Sequence, residues 1–568
     1  MNFTAISHCL LLAIAPFLIS PSTLAQTLPN PVEESLPQAP DSLLESIPAE
    51  QPLEVPIELE AVPKPNPSQP TPSPSPEPSD PPTEFFVETI LVLDNSLFAE
   101  EIQALVAPLE GRQLALADLI DLRTQITQLY VEAGYISSGA FVPTNQELTD
   151  GEVQIQVVEG EIEKVQTSGL SRLKERYVRS RLHRFIRPPL NIRQLEDGLR
   201  LLQTDPALQQ INAELVAGSG PGQNILTLSL VEADALTATL SGDNYRAPSI
   251  GSLQGTAAMG HRNLLGFGDR LNLSYSLTEG LDNYQVQYAL PVNGLEGTFS
   301  VRYRKADSNI VQDPFQAAGI RSESETLSLG FRQPLWRSVS SEFALGLDFD
   351  WRESRSFILD DLPFSFSVGP EDGVSRVSVL RFSQDWVNRD INTVLAARSQ
   401  FSVGIDAFDA TVNSSGTDGL FFAWLGQFQW VEQFSSGAVL VTQLNTQLTP
   451  DSLLPLERFS LGGIETVRGY AQNQLVTDNA IALSTEFRYP LARRLQLVPF
   501  IEGGGGWNNR TTTPAPSFLL GTGLGMRWQP IDRLALRADY GIPLTATGAE
   551  GNSLQENGLY FSIDLFPL

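Results

Sequence analysis

The chain of 568 residues holds a single cysteine, Cys9, with only three histidines and three methionines. Cys9 sits in the leading apolar stretch, so the remainder has neither a disulfide nor cysteine-based metal or redox chemistry. Burial and backbone pairing must hold it together. Basic residues are also scarce: 37 Lys and Arg against 66 Asp and Glu leave a net charge of −29, which argues against nucleic acid and against polybasic attachment to anionic lipid. No run approaches the roughly twenty apolar residues of a transmembrane helix. The Gly, Ser, Thr and Phe that are plentiful instead suit a soluble β-rich protein and a lipid-embedded barrel equally well.

The first residues read as a secretion leader. Leu10 to Ile19 is a short apolar core broken by Pro16, and Thr23-Leu24-Ala25 precedes Gln26, so residues 1–25 are expected to be a signal peptide, although its start lacks Lys and Arg. Residues 26–83 form a proline-rich linker, nearly pure Pro, Ser and Thr from Lys64 to Pro82, which favours an extended spacer over helix. Its one candidate helix, Asp41 to Ile47, is stopped by Pro48.

Two small units follow, at 84–160 and 161–233. In the first, Val87 to Asp94 alternates as a strand, Phe98 to Val106 and Leu116 to Glu132 carry apolar residues at helical spacing, and Gly139 to Pro143 and Glu152 to Val158 are strands. The second repeats the order: strand Ile162 to Thr167, helices Lys174 to Phe185 and Ile192 to Leu202, strands Gln210 to Val216 and Asn224 to Val231. Each βααββ unit leaves a strand edge, open either to solvent or to an extended peptide.

From residue 234 to 568 the period is two. Leu271, Leu273, Tyr275 and Leu277 oppose Arg270, Asn272, Ser274 and Ser276, and Leu534, Leu536, Ala538 and Tyr540 oppose Arg533, Arg537 and Asp539. A soluble sandwich alternates too. Loop lengths discriminate: about sixteen strands are joined by brief turns such as Leu264 to Gly268 and Phe434 to Gly437, alternating with long loops such as Ala306 to Arg321 and Ser356 to Gly373. That is the pattern of a closed antiparallel outer-membrane barrel, which leaves no unpaired backbone in lipid.

The sixth long loop, 449–478, contains Leu461-Gly462-Gly463-Ile464-Glu465-Thr466-Val467-Arg468-Gly469-Tyr470, a glycine-bounded turn bearing one cation. In Leu495 to Glu502, Leu495, Leu497 and Ile501 take the lipid face, so Phe500, Glu502 and Gly504 face the lumen. Arg468 can then fold back onto Glu502. On the residues alone, both segments could equally be ordinary glycine-rich turns.

The chain resembles the outer-membrane transporters of two-partner secretion, the haemolysin secretion/activation proteins of the POTRA-barrel superfamily. The resemblance rests on Val467-Arg468-Gly469-Tyr470, on Phe500, Glu502 and Gly504, which are similar to the wall motif F-x-D-x-G, and on Gly134-Tyr135 with Val158-Glu159-Gly160 at the end of a first POTRA domain. Glu502 stands where the wall motif usually has Asp, and the proline pattern argues against the N-terminal plug helix the family often has. The resemblance implies a transmembrane β-barrel preceded by two POTRA domains in the periplasm. It implies recognition of an unfolded partner exoprotein, large and β-rich, through its N-terminal secretion domain, and passage to the cell surface. The partners are that exoprotein and outer-membrane lipid, with no nucleic acid, nucleotide or other cofactor. No catalytic or metal site is expected: His183 and His261 stand apart from the acidic residues, and Asp348 and Asp350 read as wetted pore lining. The alternatives are an insertase of the same superfamily, which usually carries more POTRA copies, a passive porin, which needs no modules, and a membrane-anchored hydrolase, which the missing catalytic constellation disfavours.

Overall fold

A computed structural model describes residues 57–59, 84–144, 146, 151–548, 551 and 553–567. The expected signal peptide and the candidate helix Asp41 to Ile47 lie outside the described residues. The chain divides into two compact units, one of which comprises residues 51–233.

In that unit the first module is a three-stranded sheet ordered Thr89–Leu93, Glu152–Val158, Gly139–Phe141, with helices Ala99–Val106 and Leu116–Glu132. Ile102, Val106, Leu119, Leu122, Ile126 and Tyr130 from the helices meet Ile90, Val153, Ile155 and Val157 in one apolar core. The spacing of these residues is what makes the helices amphipathic. The continuous strand expected from Val87 to Asp94 is instead broken at Glu88. The Glu88 and Thr89 N–H groups both donate to Gly151 O (2.7 and 3.3 Å), so Phe85–Val87 turns away to pair with Arg112–Leu114. Alternation survives such a break, which is why the sequence does not betray it.

The second module repeats the plan with strands Glu161–Ser168, Leu208–Ala217 and Gln223–Glu232 and helices Glu175–Leu182 and Ile192–Gln203. Asn191 caps the second helix by accepting from Arg193 N. The outer edge of this sheet is occupied: Ile57–Leu59 from the linker pairs parallel with Leu208–Ala217, in the register Ile57 to Ala213 and Leu59 to Leu215. The edge expected to be open here therefore carries an extended stretch of the chain itself.

The other unit holds a closed barrel. Its sixteen wall strands are all antiparallel and joined in sequence order, closing where the first pairs with the last. They are β1 (Leu236–Asp243), β2 (Gln254–Arg262), β3 (Arg270–Leu277), β4 (Leu281–Pro291), β5 (Thr298–Asn309) and β6 (Arg321–Arg337). Then come β7 (Ser341–Ile358), β8 (Val374–Arg389), β9 (Thr393–Ile405), β10 (Phe422–Gln433) and β11 (Val439–Leu448). The last are β12 (Asn479–Ala492), β13 (Leu495–Trp507), β14 (Phe518–Ile531), β15 (Leu534–Pro543) and β16 (Leu559–Leu565). The strands at β5 and β7 run further into the long loops than alternation indicated, ending at Asn309 and Ile358.

Side chains alternate along the wall. Leu273, Phe299, Leu347, Phe382, Leu483, Ile501, Met526 and Tyr540 are exposed outward, while Ser276, Arg304, Arg352, Gln400, Glu486 and Asp539 are buried inward. An apolar belt of this extent is untenable in water and natural in lipid. Among the described residues no helix is long and apolar enough to cross a membrane. The loop 449–478 joins β11 to β12, and Leu453, Leu456, Phe459, Leu461, Val467 and Tyr470 along it are all buried.

A lumen loop seated by Arg468

Three strands prepare the seat. On β13, β14 and β15 the lumen-facing positions near the loop include Gly504, Gly521 and Gly541, and a Cβ added there would lie 2.8 Å from Leu461 Cδ2, 2.2 Å from Arg468 O and 2.4 Å from Gly469 N respectively. At Gly521 and Gly541 loop backbone lies against wall backbone, and at Gly504 the Leu461 side chain does, so no wall side chain fits between them. The turn itself depends on Gly469, whose φ of 99° belongs to the left-handed region that glycine adopts without strain.

Arg468 is 1% exposed. Its backbone N–H donates to Glu502 Oε2 (2.7 Å), and its Nε and Nη2 both reach Glu502 Oε1 (3.0 and 2.5 Å). Two further carboxylates share the guanidinium: Nη1 donates to Asp539 Oδ1 at 2.7 Å, and Nη2 lies 2.8 Å from Glu486 Oε1. The Phe500 ring covers its face, with the centroid 3.5 Å from the guanidinium carbon. Every polar edge is thus satisfied by charge, and the flat face by an aromatic ring. The wall motif and the loop tip are brought together, with Gly504 beside Leu461.

The rest of the turn is clamped by hydrogen bonds. Gly469 N donates to the Tyr560 hydroxyl (3.0 Å), which donates to Tyr470 O (2.5 Å). The Tyr470 hydroxyl donates to Leu520 O (2.7 Å) and accepts from Thr545 N (2.9 Å). Val467 packs in the apolar cluster with Phe459, Leu461 and Leu519. Behind the three carboxylates stand Arg488, Arg527 and Arg537: the first two reach Glu486 Oε2 at 3.0 and 2.9 Å, and Arg537 Nε donates to Asp539 Oδ2 at 2.6 Å. Glu486, Asp539 and Tyr560 were not singled out by sequence. The strand phase of Asp539, opposite Leu536 and Tyr540, was the available signal, but nothing local shows that β12 and β15 converge on one loop.

The motif of the first module has a different job. Gly134, in the left-handed region just after helix Leu116–Glu132, accepts from Ile192 N (2.9 Å), while Gly160 accepts from Leu190 N (2.6 Å). Both glycines therefore lie at the seam with the second module, where a Cβ at Gly134 would come within 3.0 Å of Asn191 Oδ1. Tyr135 packs edge-on to Phe98 and Tyr130. Glu159 closes the module: it accepts from Ser96 N (2.7 Å), Ser96 Oγ (2.6 Å) and the Tyr130 hydroxyl (2.8 Å). Burial works to raise this carboxyl, but the Ser96 and Tyr130 donors hold it below the ordinary value. Burial and the same contact with Glu159 push the Tyr130 phenol up.

Glu232 is the counterpart of Glu159 in the second module. It follows Val231 as Glu159 follows Val158, and accepts the N–H groups of Ser171, Arg172 and Leu173 at 2.6, 2.8 and 2.8 Å. Against the opposing effect of burial, these donors and the Arg172 guanidinium bring its carboxyl down to about 2. The repeated Val-Glu at the end of each unit was the signal that could have found it.

Asp348 and Asp350 line a polar cavity of about 130 Å³ with Arg302, Arg381 and Arg398. His183 follows helix Glu175–Leu182, and His261 lies on β2. Among the described residues no group of His, Cys, Asp and Glu is arranged to hold a metal ion.

Comparison with known proteins gives a consistent result. The family described as "Haemolysin secretion/activation protein ShlB/FhaC/HecB" matches residues 222–528, and "POTRA domain, ShlB-type" matches residues 85–160. The outer membrane transporter CdiB of Escherichia coli is 25% identical over 443 residues, covering 74% of this chain and 72% of its own length. The heme/hemopexin transporter protein HuxB of Haemophilus influenzae Rd is 20% identical over 426 residues, 72% of this chain and 73% of its own. The solved structure of CdiB from Escherichia coli superposes with a TM-score of 0.65 at 21% identity, covering 87% of this chain and 93% of that one.

Proposed function

Since the chain belongs to the haemolysin secretion/activation family, the two-partner secretion transporters of the outer membrane, we propose that it carries one unfolded exoprotein from periplasm to cell surface through the barrel. The barrel spans the outer membrane and the POTRA modules stand in the periplasm. The observation that carries the mechanism is the lumen loop, whose tip is held by an ionic seat set among apolar contacts. A desolvated ion cluster adds little net stability over an apolar substitute, yet losing one partner costs about 3 to 5 kcal/mol because the others are stranded. Such a seat holds firmly and fails all at once, which suits a loop that must keep one position while chain passes and be released when a partner charge is displaced.

The modules are the receptor in this reading. A large β-rich exoprotein would present its N-terminal secretion domain as an extended strand, and the linker strand Ile57–Leu59 on Leu208–Ala217 is the support for this, since that edge accepts such a strand in parallel register. The incoming chain would take the place of Ile57–Leu59. Arg468, Glu502 and the glycine bed act as the seat of the loop, Gly134 and Gly160 as the module seam, and Glu159 as the clasp of the first module. None of these residues has a catalytic part: folding outside the membrane biases the direction, and the protein works without nucleotide or cofactor.

The test is a pull-down of periplasmic and secreted proteins on the compact unit 51–233. Capture of one large exoprotein through its N-terminal region supports the reading. Capture of many barrel precursors would replace it with an insertase, and capture of nothing would remove the modules as receptor.

A further inference from the structure

The segment leading to the Arg468 turn carries a second charged contact of the opposite sense. Glu457, in the tight turn Pro455–Glu457, is 7% exposed. Its Oε1 and Oε2 accept from Arg381 Nη2 at 2.9 and 3.0 Å, and Oε1 accepts from Arg352 Nη1 at 3.2 Å. Arg352 Nη1 also donates to the neighbouring Leu456 O (3.0 Å). The wall holds these cations in place: Arg381 Nε donates to Asp350 Oδ2 (2.5 Å) and its Nη1 to Ser402 Oγ (2.9 Å).

Arg352 and Arg381 belong to β7 and β8, whereas the carboxylates around Arg468 belong to β12, β13 and β15. In a closed ring of sixteen strands these are different arcs of the wall. The loop therefore crosses lumen between them, with a carboxylate seated among cations at one end and a cation seated among carboxylates at the other. The Glu457 end has its own apolar footing, where Leu453, Leu454 and Leu456 pack on Val377, Val379, Phe421 and Ala423. The polar cavity lined by Asp348, Asp350 and Arg398 opens beside Glu457, with room for water at this contact.

We propose that Glu457 is a second latch and a positioning residue for transport, making the loop a strut fixed independently at two places. This deepens the reading of Arg468 as the seat of the loop and rests on it. The consequence is stepwise release: displacing Arg468 frees the tip from 464 to 472, while the stretch from 452 to 457 stays against β7, β8 and β10 until Glu457 also lets go, with Arg458 paired to Asp478 and Phe459–Leu461 to Leu475–Thr477 beside it. Opposite polarity at the two ends gives them different triggers, since a passing acidic segment competes for Arg352 and Arg381, and a basic one for Glu486, Glu502 and Asp539.

Hydrogen exchange read by mass spectrometry on the full-length barrel in detergent separates the two latches. Glu457→Gln keeps the shape and removes the charge; exchange in 452–457 should rise by about tenfold or more, the scale of a lost charged hydrogen bond, with 464–472 still protected. Arg468→Ala should do the reverse, and the double variant should expose both. Arg352→Gln attacks the same contact from the wall and should free 452–457 even if Glu457→Gln does not yield a folded barrel. Wild-type protection of 452–457 in both Glu457→Gln and Arg352→Gln overturns the second latch, as does release of both segments by Arg468→Ala alone. Undiminished protection of 464–472 in Arg468→Ala would instead overturn the underlying reading of Arg468.

Discussion

In the second module, Val178, Leu182, Leu195, Leu199, Leu226 and Leu228 meet with essentially no exposure, and the interior is mostly hydrocarbon, with one buried carboxylate, Asp205, held by Arg181 and the Tyr177 hydroxyl. In the barrel, the largest fully buried side chain among the described residues is a guanidinium, that of Arg468. The two interiors fail differently. A hydrocarbon core loses stability in proportion to the volume removed and keeps its shape under changes of salt or passing charge. An ionic core is balanced: each group is tolerable only while its partners stay, so one displacement unsettles the set. A receptor module benefits from the first behaviour and a loop in a conduit from the second.

The strongest way to break this comparison is Arg468→Ala. Glu502 and Asp539 lose their shared cation, at a cost of about 3 to 5 kcal/mol, and export of the partner should fall more than tenfold while the unit 51–233 unfolds at its usual denaturant midpoint. Reversing the pair as Arg468→Glu with Glu502→Arg should not restore export, because the carboxylate introduced on the loop would then face Asp539 and Glu486; recovery in an export assay would show that Glu502 alone matters.

Leu195→Ala makes the complementary cut. It should cost the module about 2 to 5 kcal/mol, read as a lowered midpoint of unit 51–233, and leave loop exchange in the barrel unaltered. A smaller effect, about 1 to 3 kcal/mol, is expected from Gly541→Ala, whose added Cβ would lie 2.4 Å from Gly469 N, against backbone that cannot turn aside. Increased exchange at 464–472 with an intact barrel would register it.

A further expected effect concerns acid. Glu232 is held at about 2 against an ordinary 4.5, so its ionised form favours the folded module. That contribution is complete above about pH 4.5 and is lost as pH falls from there toward 2. Denaturant midpoints of unit 51–233 should therefore decline over this window, and Glu232→Gln should flatten the decline. Superimposable curves for the two proteins would remove Glu232 from the accounting.

What could be read in the sequence follows from how local its cause is. Alternation of Leu271, Leu273 and Tyr275 reports one strand facing lipid, and the same period places Glu502 on the lumen side from Ile501 alone. Helical spacing of Leu119, Leu122 and Ile126 reports one buried helix face in the same way. Glu486 and Asp539 could not be found by such means, because their meeting at Arg468 depends on three strands in register and a loop folded across them. Glu457 reads as an ordinary loop charge until Arg352 and Arg381 are seen to flank it, more than seventy residues earlier in the chain. The break at Glu88 and the strand Ile57–Leu59 are likewise decided by distant partners, Gly151 and Leu208–Ala217.

The most direct measurement uses the scarcity of cysteine. With Cys9 the chain's single cysteine, Glu465→Cys on the exposed part of the loop tip, combined with Cys9→Ser, accepts a single nitroxide in an otherwise thiol-free protein. The electron paramagnetic resonance spectrum should show an immobilised label, should become dominated by a mobile component when Arg468→Ala is added, and should not change when Leu195→Ala is added instead. The same immobilised spectrum with and without Arg468 would contradict the ionic seat.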